Sequence, residues 1–200
     1  MVVFGLQTAK ADIMSTLNVG NSDLTGNGFN PPYGTVTIGL SGQVATITFK
    51  AATGYEFGDG QAVDVNVDSS DFTPGGLLPA GGSFDTSGPP VDGFGDFNLQ
   101  VDYANFSVGF TLISFTVTNN DLSNLWGSAT DVLAFNGHTQ NGGPFDAAAH
   151  VRSTVNNPQG LTGKAAESGP FTNVPDGGTT SMLLGLSLCG LGFVRRFAER

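Results

Sequence analysis

Apolar and polar residues alternate with a period of two along most of the chain, a pattern typical of β-strands. The alternation is clearest over residues 35–40 and 45–50, where β-branched residues stand on both sides of Ser41-Gly42. A glycine-containing turn between two such runs predicts a β-hairpin. Further strands are predicted at 63–68, 97–103, 106–112 and 113–118, with short ones around 132–135 and 147–151.

The fold class follows from the number and spacing of these runs. Thirty glycines and ten prolines interrupt the chain at short intervals, which argues against long helices. The apolar phase slips by one residue between Leu112 and Ile113, as at a β-bulge or where a strand crosses between sheets. Seven or more short strands separated by turns favour an all-β domain, which we expect to be a β-sandwich of jelly-roll type.

Composition divides the chain into segments. We expect one β-sandwich domain at 12–151, with a long surface loop at 68–93, and a linker at 152–173 rich in Gly, Pro, Ser and Asn. Residues 1–11 are expected to be the remnant of a truncated signal peptide. Ala9-Lys10-Ala11 has the small-x-small form of a cleavage site, but the apolar run before it is short.

The C-terminal segment 174–200 has three parts in a fixed order. The motif is Val174, Pro175, Asp176, Gly177 and Gly178; an apolar helix is predicted at 179–194, and Arg195 and Arg196 begin the basic end at 195–200. Pro and Gly keep the motif out of a helix, whereas the arginines would hold the far end of a membrane helix on the cytoplasmic side. The apolar part has 16 residues, at the lower limit of the ~17–25 that span a bilayer. A plain C-terminal membrane anchor is the alternative interpretation.

This order of parts resembles the PEP-CTERM protein-sorting tail, in its variant with a Val-Pro-Asp-Ser-Gly motif. The variant has Ser where this chain has Gly177. The resemblance implies recognition by an exosortase, a membrane cysteine transpeptidase that cuts near the motif. It also implies transient anchoring in the inner membrane, then delivery to the cell surface or extracellular matrix of a bacterium that produces exopolysaccharide.

The net charge of the predicted body, residues 12–174, limits the kinds of partner that it can bind. Residues 12–174 carry fifteen acidic and three basic residues, a net charge of −12, which excludes nucleic acid as a partner. The single cysteine, Cys189, lies in the tail, so no disulfide forms within the body. Aspartates are dense between residues 59 and 96, and Ca²⁺ prefers oxygen ligands on Gly-rich loops. Asp92 and Asp96, which flank Gly93-Phe94-Gly95, are the candidate Ca²⁺ ligands, against a solvated acidic surface as the alternative.

No catalytic motif is present in the sequence. Of the two histidines, we expect His150 to be structural and His138, in a turn-like context, to be exposed. Three functions remain. The first is a non-enzymatic exported surface or matrix protein. The second is a Ca²⁺-dependent carbohydrate-binding module with Trp126, Tyr33 or Tyr55 as stacking residues. The third is a glycan-active hydrolase with unrecognised acidic residues.

Overall fold

The computed structural model of the protein describes residues 12–79, 81–103, 108–167 and 169–174. Within these ranges the chain forms strands, one short helix and one 3₁₀ turn. The strands are β1 (Ile13–Gly20), β2 (Gly34–Ser41), β3 (Val44–Ala51), β4 (Tyr55–Phe57), β5 (Gly60–Val65), β6 (Phe72–Gly75), β7 (Ser83–Asp85), β8 (Pro90–Val91), β9 (Gly95–Asp96), β10 (Leu99–Tyr103), β11 (Leu112–Asn119), β12 (Ala147–Ser153), β13 (Thr162–Glu167) and β14 (Thr172–Asn173). The helix α1 spans Ser22–Gly26, and the 3₁₀ turn spans Ala129–Asp131.

Among the described residues, twelve of the strands belong to one antiparallel sheet. Its order is β6-β11-β3-β2-β1-β13-β12-β5-β10-β7, with β14 paired to β1 and β4 paired to β12. Phe84 on β7, at one end of the sheet, has its ring 5.8 Å from the ring of Phe115 on β11, which is next to the other end. The sheet therefore curls so that its two ends approach each other. The all-β prediction is confirmed, but the sheet is a nearly closed barrel rather than the expected pair of stacked sheets. The predicted helix at 179–194 lies outside the described residues.

The predicted hairpin at 35–50 is confirmed as β2 and β3. The two strands pair from Gly34↔Ala51 to Ser41↔Val44, so a two-residue loop connects them. The first loop residue, Gly42, has a φ of +61°, a conformation that glycine adopts without strain. The alternate apolar residues of both strands point into the barrel, and these include Val36, Ile38 and Ile47, all fully buried.

The barrel interior holds the main core, and a second apolar cluster covers part of its outer surface. Strand β12 separates the two, because Ala147 and Ala149 face the main core whereas Ala148 packs in the second cluster. We call this second group the outer cluster; it consists of Val91, Phe94, Phe97, Phe145, Ala148 and Ala166. The hairpin β8–β9 and the segment 136–145 form this extra layer over β12 and β13.

Three predicted segments differ from the structure. The expected surface loop at 68–93 contains β6, β7 and β8, and the expected linker at 152–173 contains β13, which lies between β1 and β12 in the sheet. Strand β13 has only small apolar residues, Ala165 inside and Ala166 outside, beside the buried polar residues Lys164 and Glu167, so it has no period-two signal. The strand predicted at 106–112 is not formed over the described residues 108–111, and β11 follows the predicted phase of 113–118.

Candidate functional site at the end of the last strand

The chain leaves the barrel beside its first strand. In β14, Thr172 pairs with Met14 and Asn173 pairs with Ile13 of β1. The Thr172 hydroxyl donates to the Met14 carbonyl oxygen at 3.2 Å, and the backbone N–H of Val174 donates to the Asp12 carbonyl oxygen at 2.7 Å. Thr172 and Asn173 are exposed. Val174, the first residue of the predicted motif, is therefore fixed at the surface by a backbone hydrogen bond.

The remaining sequence-predicted motif residues, Pro175 to Gly178, lie outside the described residues, as do Arg195 and Arg196. Within the described ranges, no helix combines the length and the apolar character needed to cross a bilayer.

The passage from β13 to β14 runs over a buried serine. Ser15, on the inward face of β1, is 6% exposed, and Glu167, the last residue of β13, is 1% exposed. The Ser15 hydroxyl lies 3.3 Å from Glu167 Oε2 and 3.4 Å from the Gly169 carbonyl oxygen, and these two oxygens share its one proton as acceptors. Gly169 has a φ of +106°, which only glycine adopts readily, so the chain can turn here from β13 into β14. We call this part of the chain, Glu167 with residues 169–171, the junction.

A second buried carboxyl group lies at the junction. Asp146, directly before β12, is 6% exposed. Burial, with the nearby Glu167 charge, raises the pKa of Asp146 to about 8. Burial also raises the pKa of Glu167. Among the described residues, neither Asp146 Oδ1 nor Glu167 Oε1 has a hydrogen-bond partner. We refer to Asp146 and Glu167 as the carboxyl pair; sequence reasoning missed it because its members are 21 positions apart.

A separate buried polar group lies on the strands from β13 to β10. The Lys164 ammonium donates to the Gln61 carbonyl oxygen at 2.8 Å, and the Gln100 amide donates to Asp64 Oδ1 at 3.0 Å. Burial lowers the pKa of Lys164 to about 8 and raises that of Asp64 to about 6, although each charge partly stabilises the other. Within this group the positive charge of Lys164 and the negative charge of Asp64 offset each other.

His150 lies next to this group and is held on both ring nitrogens. Its Nε2 is 3.0 Å from the Thr162 hydroxyl, and its Nδ1 is 3.3 Å from the Asp59 carbonyl oxygen. Burial, followed by the charge of Lys164, lowers the pKa of His150 to about 4. His150 lies on β12 and contacts Thr162 of β13 and the backbone of Asp59, which is compatible with the structural role predicted for it.

The predicted sugar-stacking residues are largely enclosed. Trp126 is 2% exposed, and its indole N–H donates to the Asp68 carbonyl oxygen at 2.8 Å. Tyr33 is fully buried, with Tyr55 packed edge-on at a ring distance of 5.4 Å. Stacking on a sugar needs an open ring face, and neither Trp126 nor Tyr33 offers one.

The predicted Ca²⁺ ligands lie on the exposed hairpin β8–β9. Asp92 accepts a hydrogen bond from the Asn21 amide at 3.2 Å, and Asp96 pairs in register with Pro90. In the part of the chain that the structure describes, no three or more His, Cys, Asp or Glu side chains are grouped to hold a metal. The assignment of Ca²⁺ to Asp92 and Asp96 stays a prediction.

Comparison with known proteins bears on the C-terminal end alone. No curated protein and no solved structure matches the chain. A family model does match, the one for the VPDSG-CTERM motif, and it covers residues 173–196. The match begins at Asn173, the second residue of β14, so it starts inside the last described strand and includes the whole predicted motif 174–178. The chain therefore carries a VPDSG-CTERM motif, a PEP-CTERM-like sorting signal.

Proposed function

We propose that this protein is an exported, non-enzymatic component of the cell surface or extracellular matrix. In this proposal an exosortase acts on the motif at 174–178 and separates the barrel from the tail. The observation that carries the proposal is the VPDSG-CTERM match at 173–196, directly after a folded acidic domain. A sorting signal of this kind serves a protein that works outside the cytoplasm.

The geometry at β14 is suited to processing. The strand has two residues, both exposed, and β1 is its partner in the sheet. Each hydrogen bond that must open to free the motif contributes only about 0.5–1.5 kcal/mol. A processing enzyme could therefore bind an extended segment around Val174 without unfolding the barrel.

The tail supplies the remaining steps of the proposed route. The apolar segment 179–194 enters the inner membrane transiently, and Arg195 and Arg196 keep its end on the cytoplasmic side. After cleavage the acidic barrel is released to the surface or matrix, where exopolysaccharide is the proposed neighbour. The net charge of −12 on residues 12–174 would keep the released barrel soluble.

The buried groups favour a non-enzymatic role. The carboxyl pair has the raised pKa values that acid catalysis uses, but its members are 6% and 1% exposed. A polymeric substrate cannot reach carboxyl groups at that depth. The carbohydrate-binding alternative, in turn, named Trp126, Tyr33 or Tyr55 as stacking residues. The rings of Trp126 and Tyr33 are enclosed, and Tyr55 is half-buried.

The test is a motif variant expressed in a host that has the exosortase. Pro175→Ala combined with Asp176→Ala removes the two most distinctive motif residues. We expect this variant to accumulate uncleaved in the membrane fraction, while the parent appears outside the cell. Asp96→Ala, at an exposed aspartate on hairpin β8–β9, is the matched control and should be exported as the parent is. Equal export of the motif variant and the control would refute the proposal.

A further inference from the structure

We propose that the junction contains a binding site for a divalent cation of the Ca²⁺ type. Its ligands are the carboxylates of Asp146 and Glu167, with the Ser15 hydroxyl and the Gly169 carbonyl oxygen beside them. This site differs from the sequence-predicted one at Asp92 and Asp96, and it does not depend on the sorting function.

The first argument is the unpaired oxygens of the carboxyl pair. Asp146 and Glu167 are both more than nine-tenths buried, and each has one oxygen without a hydrogen-bond partner among the described residues. Burying an unpaired carboxylate is costly, and folded proteins place such groups against a cation or a metal. The charge of Glu167 disfavours the ionised form of Asp146, so the arrangement needs a bound cation or a bound proton.

No basic side chain of the described residues supplies that charge. Arg152 forms its ion pair with Glu56, and Lys164 donates to Gln61 and interacts with Asp64. Lys50, the third base of the body, is exposed on β3, a strand separated from β13 by β2 and β1. The missing positive charge must come from outside the chain, as a bound ion or a bound proton.

The second argument is the chemistry of the surrounding atoms. Ser15 Oγ lies 3.3 Å from Glu167 Oε2 and 3.4 Å from the Gly169 carbonyl oxygen. Together with Asp146 they form a donor set of oxygen atoms alone. Such sets select hard cations, and Ca²⁺ in particular accepts 6–8 oxygen ligands in irregular geometry. Nitrogen and sulfur ligands, which zinc prefers, are absent from this donor set.

The site would connect parts of the chain that are distant in sequence. Ser15 belongs to β1, Asp146 precedes β12, and Glu167 and Gly169 lead from β13 into β14. A cation bound there would fasten the junction to the barrel and hold β14 in its register on β1. Cation binding would thereby stabilise the part of the fold from which the tail departs.

The competing explanation is a shared proton, with one member of the carboxyl pair neutral. A proton would satisfy the pair without any metal, and the protein would then show no response to Ca²⁺. The conservative variants Asp146→Asn and Glu167→Gln remove one charge each and keep the side-chain shape. Both mimic a neutral acid, so we expect them to fold.

The experiment is calorimetric titration and thermal unfolding of the full chain in EDTA and in Ca²⁺ or Mg²⁺ alone at millimolar concentration. We expect one Ca²⁺ per chain and a rise in Tm of about 5 °C for the parent. Asp146→Asn and Glu167→Gln should each lose this rise, whereas the matched control Asp23→Asn, at an exposed aspartate of α1, should keep it. Circular dichroism verifies that each variant is folded.

Two results would overturn the proposal. The first is a parent that gives neither heat nor a Tm shift with Ca²⁺, which would assign the carboxyl pair to a shared proton. The second is a Ca²⁺ response that survives Asp146→Asn and Glu167→Gln but disappears in a variant that combines Asp92→Asn and Asp96→Asn. That result would place the cation on hairpin β8–β9.

Discussion

The outer cluster should stabilise the protein as a packed core does, and Phe145→Ala tests this directly. Phe145 is 1% exposed, and its ring packs edge-on against Phe94 at 5.0 Å. Truncating a fully buried Phe removes its transfer free energy and leaves a cavity, a loss of about 3–5 kcal/mol. Urea unfolding followed by circular dichroism measures the change in free energy of unfolding.

Phe135→Ala is the matched control, because Phe135 lies ten residues earlier and is 54% exposed. We expect it to cost less than about 1 kcal/mol, since half of its surface is already in water. A double-mutant cycle between Phe94 and Phe145 should give a coupling of about 0.5–1.5 kcal/mol. Equal costs for Phe145→Ala and Phe135→Ala, or no coupling, would refute the packed outer layer.

Two further predictions concern β13 and its neighbour β12. Gly163→Ala should destabilise the protein by about 1–3 kcal/mol in urea unfolding, because an added Cβ would lie 2.7 Å from Leu24 Cγ. Gly26→Ala, with open space around the position, should stay within about 0.5 kcal/mol; similar losses for both would contradict the close packing. Because the pKa of His150 is lowered to about 4 in the fold, the parent loses stability as pH falls from 6.5 to 4. His150→Gln should lack this pH-dependent loss of stability, which amounts to up to about 3 kcal/mol, whereas a His138→Gln control should keep it. Parallel profiles of stability against pH for His150→Gln and the parent would refute the assignment of this loss to His150.

The sequence predicted those strands whose two faces meet different surroundings. Strands β2 and β3 alternate Thr with Val, Ile or Phe because one face lies in the main core and the other is polar. Strand β13 escaped prediction because it is covered on both sides. Its alanines fit between the main core and the outer cluster, so no polar face produces an alternation.

The outer cluster and the carboxyl pair escaped prediction for a different reason. Phe94 and Phe145 are isolated among Gly, Pro and Asp residues, so a local pattern predicts a loop. Asp146 and Glu167 meet only because β12 and β13 pair, with Ser15 brought in by β1. Contacts of this kind depend on the closed sheet, and no local spacing encodes them. The sorting motif, by contrast, is contiguous in sequence, and it was found without the fold.

Mass spectrometry of the C-terminus of the mature native protein tests the central claim most directly. The account predicts a chain that ends within or next to residues 174–178, directly after the two residues of β14, in material recovered outside the cell. A mature protein that still ends at Arg200 would contradict removal of the tail and with it the proposed sorting route.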